Sequence, residues 1–162
     1  MEPAAYVPKM NDLVQLLLEK EHIRNTIVRL KAEATEGNEP FVWAVLEKEE
    51  WQNWLPVEIK SGWIFVLKKD TPSECHYHPN SVQHMIMVEG HGKSQVGDEA
   101  KEMRLLGSGH EPQDTWYVIE KGVEHEFFPE KTNMVVISFH TCEADELQEI
   151  SCGSGQKRTY EG

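Results

Sequence analysis

Apolar residues in the first part of the chain recur at spacings near three and four: Leu13, Leu16, Leu17, Ile23, Ile27 and Leu30, with charges between them. That is the period of an amphipathic helix, and Asn11 is a residue type that caps one. The spacing predicts a single helix over residues 12–34, packed on a sheet or on a partner. A polar turn over 36–40 follows. The stretch 41–54 reads two ways: Pro40 suits a first helical position, while Phe-Val-Trp-Ala-Val suits a strand. The reading taken here is a short helix.

At Ser61 the texture changes. Short runs rich in Val, Ile, Phe, Tyr and Trp follow one another, broken by Gly, Pro, Asn and Asp: 62–69, 74–78, 83–89, 93–96, 102–106, 115–120, 124–128, 134–140 and 147–150. Many short strands at close spacing, with no long helical pattern between them, predict an antiparallel sandwich or barrel and argue against a parallel βαβ sheet. Gly107-Ser-Gly109 reads as a hairpin turn, and the polar tail from Gly153 to Arg158 carries no predicted element.

Composition narrows the function. A length of 162 residues fits one domain, and hydrophobic residues at 39% suffice for one core. The net charge of −12 argues against non-specific binding to nucleic acid or to an anionic membrane, both of which need a basic surface. The longest apolar run, residues 41–46, falls far short of the ~20 residues of a spanning helix. The first residues lack the basic and apolar regions of a signal peptide. Three cysteines, Cys75, Cys142 and Cys152, form an odd and sparse set, so reduced thiols and a cytoplasmic protein are expected.

The chemistry lies in the histidines. His76 and His78 are two apart, so on a strand both imidazoles project from one face. Pro79-Asn-Ser81 is a turn, and Gln83 opens the next strand, where its amide approaches the same spot if that strand is the antiparallel neighbour. His125 lies on another predicted strand, just past Gly122. Three imidazoles and a carboxamide oxygen form a workable site for a first-row metal ion. His84 has the opposite parity and should face away; His22, His91 and His110 read as solvated, and His140 as structural. Met85 and Met87 share the parity of Gln83, and Phe127 that of His125, so these three are expected to line an apolar pocket above the ion. No residue is singled out as catalytic, although Glu120, Glu124 and Glu126 lie near enough to be considered as bases. Cys75 has the wrong parity for a ligand.

The segment from His76 to Gly90 resembles the first cupin motif, and Gly122-Val-Glu-His125 is similar to the core of the second. The match spans roughly residues 61–150. Gln83 stands where the family usually has a glutamate ligand. The resemblance implies a double-stranded β-helix, an antiparallel barrel placed here over 61–152, and leaves the helical start unexplained; residues 1–60 are read as a helical extension packed on the barrel, and 153–162 as a tail. It implies one divalent transition metal ion (Fe, Mn, Zn or Ni) on His76, His78, Gln83 and His125, and a homodimer. It leaves dioxygenase, isomerase and lyase chemistry open. The expectation is an enzyme acting on a small anionic organic substrate by Lewis-acid or dioxygen chemistry. The alternative is a non-catalytic module that binds or senses a small molecule. A neutral glutamine leaves the ion its full double charge, which favours anionic ligands.

Overall fold

A computed structural model of the chain describes residues 3–160. The predicted single helix is two: α1 (Pro3–Leu17) and α2 (Glu21–Glu36). The reason is phase. Ile23 lies six residues after Leu17, about 120° round a continuous helix of 3.6 residues per turn, so one straight helix points the two apolar stripes apart. Leu18–Lys20 break it: the amides of Glu19 and Lys20 bond three residues back, to Leu16 and Leu17, which tightens the last turn. The Arg24 guanidinium donates to the freed carbonyls of Leu18 and Glu19 and holds the corner. Asn11 is no cap. It sits inside α1, and its Oδ1 accepts from Trp116 Nε1 at 2.9 Å.

The stretch read as a short helix forms strand β1 (Phe41–Val45), followed by a 3-10 turn at Lys48–Glu50. Pairing decides what propensity left open: Phe41–Val45 lies antiparallel to β2 (Ser61–Leu67), with Phe41 opposite Leu67 and Val45 opposite Trp63. The remaining strands are β3 (His76–Tyr77), β4 (Gln83–Glu89), β5 (Gly92–Val96), β6 (Glu99–Glu102), β7 (Tyr117–Ile119), β8 (His125–Pro129), β9 (Met134–His140), β10 (Gln148–Ser151) and β11 (Lys157–Thr159). A one-turn helix α3 (Pro112–Thr115) precedes β7. The wall of strands thus begins twenty residues before the predicted barrel, and the tail contributes an edge strand. Gly107–Gly109 make no hairpin: they lie in the passage from β6 in one sheet to β7 in the other.

Two antiparallel sheets result, β1-β2-β9-β4-β7 and β11-β10-β3-β8-β5-β6. Alternation along β2, β4 and β9 sorts their side chains between two cores. Trp63, Phe65, Met85, Met87, Met134 and Val136 face the space between the sheets. Ile64, Val66, Ile86, Val135, Ile137 and Phe139 face outward and meet the apolar stripes of α1 and α2. The first sheet is therefore covered on both sides, which is why β2 and β9 read as unbroken apolar runs. Tyr6 of α1 packs on His84, which points out of the barrel as its parity required and is fully buried there.

The cysteines correct the sequence reading. Cys75 and Cys152 are joined in a disulfide across 77 residues, and only Cys142 is a free, buried thiol. The ground for expecting reduced thiols and a cytoplasmic protein is removed. No helix among the described residues is long and apolar enough to cross a membrane.

Candidate metal centre

Strand register assembles the site. His76 on β3 lies directly opposite His125 on β8. In the facing sheet, Gln83 on β4 lies between Ile119 of β7 and His140 of β9. His78 follows the end of β3, and its carbonyl accepts from the amide of Gly122 at 3.0 Å. Gly122 takes a φ of +79°, a left-handed turn that glycine adopts without a steric cost. That turn brings His125 back alongside the HxH pair.

The donor nitrogens of His76, His78 and His125 all lie within 4.8 Å of one another. Each ring is held the same way. Nδ1–H of His76 donates to the Glu74 carbonyl at 2.9 Å, that of His78 to Gln148 at 2.7 Å, and that of His125 to Val123 at 2.9 Å. A carbonyl only accepts, so each Nδ1 carries the proton and each Nε2 keeps its lone pair for the centre. Glu74 holds its carbonyl in place from a left-handed conformation, φ +74°, which costs a non-glycine residue about 1 kcal/mol.

Burial disfavours the charged form of two of these rings. It lowers the pKa of His78 to about 4, with the neighbouring His76 acting in the same direction, against the opposing pull of the Gln148 carbonyl and the Gln83 side chain. Burial likewise takes His125 well below the usual value, helped by His76 and His78. Five buried side-chain atoms among the described residues have no hydrogen-bond partner, and two of them are His125 Nε2 and Gln83 Oε1. Gln83 turns its amide nitrogen to the Met85 sulfur at 3.4 Å, which leaves the oxygen for the centre. An unpaired buried polar atom costs roughly 1–3 kcal/mol, and one cation would satisfy both atoms. The residues present therefore fit a divalent metal ion.

A cavity of about 40 Å³ adjoins these donors. Met85 and Phe127 line it, as expected. Met87 does not: it borders a separate cleft of about 380 Å³ next to His91 and Arg104. His140 lines the cavity as well, with its Nδ1 2.7 Å from Ser81 Oγ, and burial takes its pKa well below the usual value. Glu120 and Glu124 are exposed, and neither they nor Glu126 lines the cavity.

The carboxylate beside the site has no marker in the sequence. Glu149 of β10, 12% exposed, places Oε1 3.6 Å from His76 Nε2 and accepts the hydroxyl of Tyr160. Its other oxygen is 3.9 Å from Arg158. A lone glutamate in a chain with 28 acids carries no signal, and Tyr160 is an isolated aromatic in a polar tail.

The sequence matches no protein-family model and no curated protein. Solved structures do match. An oxalate decarboxylase from Lactobacillus farciminis, in a formate complex, aligns with 72% of the chain at 15% identity and a TM-score of 0.53. Vicilin from hazelnut, Corylus avellana, aligns with 72% at 11% identity and a TM-score of 0.54. The chain spans 32% and 33% of those two proteins. The cupin domain of Cnp3 from Schizosaccharomyces pombe aligns with 64% of the chain at 9% identity and a TM-score of 0.48. At such identities the likeness shows the fold alone: two antiparallel sheets packed against each other, a fold of cupin type.

Proposed function

We propose that His76, His78, Gln83 and His125 bind one divalent transition metal ion, and that the chain is an enzyme acting on a small anionic organic molecule there. The convergence of three imidazole donor atoms, each ring fixed by a carbonyl behind it, carries the reading. Three neutral nitrogens and one neutral oxygen suit Fe, Mn, Zn or Ni, and they contribute no negative charge. When bound, such an ion supplies Lewis-acid polarisation of a coordinated oxygen or, as redox-active iron, dioxygen chemistry.

The chain's own groups do the rest. The three Nδ1–H···O=C bonds hold the rings in one orientation. Met85, Phe127 and Val136 keep the lining apolar, which strengthens every charge interaction inside it. Glu149 does not itself line the cavity; its Oε1, 3.6 Å from His76 Nε2, accepts the hydroxyl of Tyr160, which does, and the pair is the proposed route for a proton from a bound molecule. A nearly buried carboxylate at that place favours an enzyme over a module that only binds or senses its ligand. A homodimer belongs to the same proposal, and sedimentation equilibrium reads it directly.

Calorimetric titration of metal-free protein tests the site. The wild type should bind one Zn²⁺, Mn²⁺ or Ni²⁺ per chain. His78→Ala and His125→Ala should weaken binding by at least ~100-fold, above what loss of an outer partner costs, with circular dichroism unchanged. Affinity unaltered by either substitution overturns the assignment.

A further inference from the structure

The space beside the histidines is too small for the molecules such a site would serve. About 40 Å³ remains there, against the ~10–15 Å³ that one water needs, so about three waters fit and an organic acid does not. Some wall must therefore move, and the walls are held unequally. Strand β9 pairs with β2 at seven positions and with β4 at six, and nearly every residue of the three is buried. Tyr160, by contrast, is delivered by β11, an edge strand paired only to β10 over three positions, with Lys157 and Thr159 exposed.

Yet Tyr160 is itself 4% exposed. Its ring stands edge-on to Trp43, Trp63 and Phe65, with centroids 5.1, 5.5 and 6.0 Å away. It lines the cavity beside His76 and His78, and its hydroxyl is held by Glu149. The next strand inward, β10, meets β3 at two positions only, Ile150 opposite Tyr77 and Ser151 opposite His76. One residue further on, Cys152 is bonded to Cys75, the neighbour of His76. The disulfide thus ties the turn between β10 and β11 to the residue just before β3, the strand that carries the first histidine.

We propose that Tyr160 is the size-selecting gate of this site and that the Cys75–Cys152 bond limits how far its hairpin swings. With the bond intact, β11 alone peels away and the ring leaves the cavity, which admits ligands of a few heavy atoms. With the bond broken, β10 also comes off β3, removes the Gln148 carbonyl from His78 and opens the site to larger molecules. Breaking it takes a dithiol: the sulfur–sulfur bond accepts two electrons and two protons, Cys75 and Cys152 become thiols, and the dithiol closes to its own disulfide. The inference rests on the histidine cluster being the ligand-binding centre.

Carbethoxylation of metal-free protein by diethyl pyrocarbonate, which acylates neutral imidazole, reads the gate directly when followed peptide by peptide by mass spectrometry. The exposed His91 is the internal reference. In wild type, His76, His78 and His125 should react slowly. Tyr160→Ala should raise their rates about tenfold or more relative to His91, and Tyr160→Phe, which keeps the ring and loses the bond to Glu149, by less. Cys75→Ser combined with Cys152→Ser should raise them several-fold. Native-state hydrogen exchange needs no Tyr160 variant: amides of β10 and β11 should exchange by local opening, faster still without the disulfide, while those of β4 and β9 stay protected. Wild-type labelling rates in Tyr160→Ala, or β10–β11 amides that exchange only on global unfolding, overturn the gate. Equal rates with and without the cysteine pair overturn the tether. Neither readout uses a metal, so a failure here and a failure of the calorimetric titration are distinct.

Discussion

Mild acid should destabilise the metal-free protein steeply, and His78 sets the scale. Burial, reinforced by His76, holds its pKa at about 4 in the folded chain, against 6.5 when unfolded. A histidine with a lower pKa in the folded state takes up a proton on unfolding. Its contribution to stability is complete above pH 6.5 and is lost as pH falls from there towards 4. Each such group removes about 1.36 kcal/mol per pH unit over that window. For His78 alone the loss from pH 6.5 to about 4 is roughly 3 kcal/mol, a large share of the roughly 5–15 kcal/mol that holds a domain folded. His125 and His140 are shifted the same way and steepen the fall. Urea denaturation of metal-free protein at pH 7.5, 6.5 and 5 measures it. Wild type should lose about 2 kcal/mol more between pH 6.5 and 5 than His78→Gln, which has nothing to titrate at that position. Parallel losses in the two proteins refute the claim that His78 is buried as the neutral ring.

Three further outcomes follow from the same structure. Gln83→Glu should tighten metal binding and weaken the binding of carboxylate ligands to the loaded protein by up to roughly a thousandfold, since a unit charge about 4 Å from the ligand acts with about 4 kcal/mol at an effective dielectric of 20, and about 1.4 kcal/mol is a factor of ten; calorimetry with glycolate as the probe decides, and tighter anion binding refutes it. Gly90→Ala should cost about 2 kcal/mol or more in urea, because φ is +106° and an added Cβ would meet the Asn133 carbonyl oxygen at 2.6 Å. An unchanged midpoint would show that the β4–β5 turn relaxes freely. Asn11→Leu strands the indole N–H of Trp116, a residue 4% exposed, and should lower stability by about 1–3 kcal/mol; a melting temperature equal to wild type contradicts that bond.

Much of the barrel was legible because its strands obey local rules. Residues 83–89 and 134–140 were delimited as the structure has them, by apolar runs between turn residues. Two-residue parity also placed His76 and His78 together, put Gln83 and Met85 on the inner face and sent His84 outward. What escaped depends on partners far along the chain. Phe41–Val45 is a strand because β2 lies beside it, and no local signal outweighs Pro40. The break between α1 and α2 was visible in the six-residue step from Leu17 to Ile23, yet an apolar list without its phase hides it. Strand β11 is Lys-Arg-Thr, polar and short, ordered by its pairing with β10 and by the ring that follows it. The Cys75–Cys152 bond and the approach of Glu149 to His76 both need the chain to close on itself over some seventy residues. Met87 has the right parity and lies too far along β4 to reach the histidines.

The proposed site requires a single ion held by four named side chains. Anomalous diffraction at the absorption edge of the bound metal, from crystals grown with Zn²⁺ or Mn²⁺, locates it. One strong peak per chain is expected, about 2.0–2.2 Å from Nε2 of His76, His78 and His125 and from Oε1 of Gln83. Density elsewhere on the protein, or a site populated in crystals yet indifferent to His78→Ala, contradicts it.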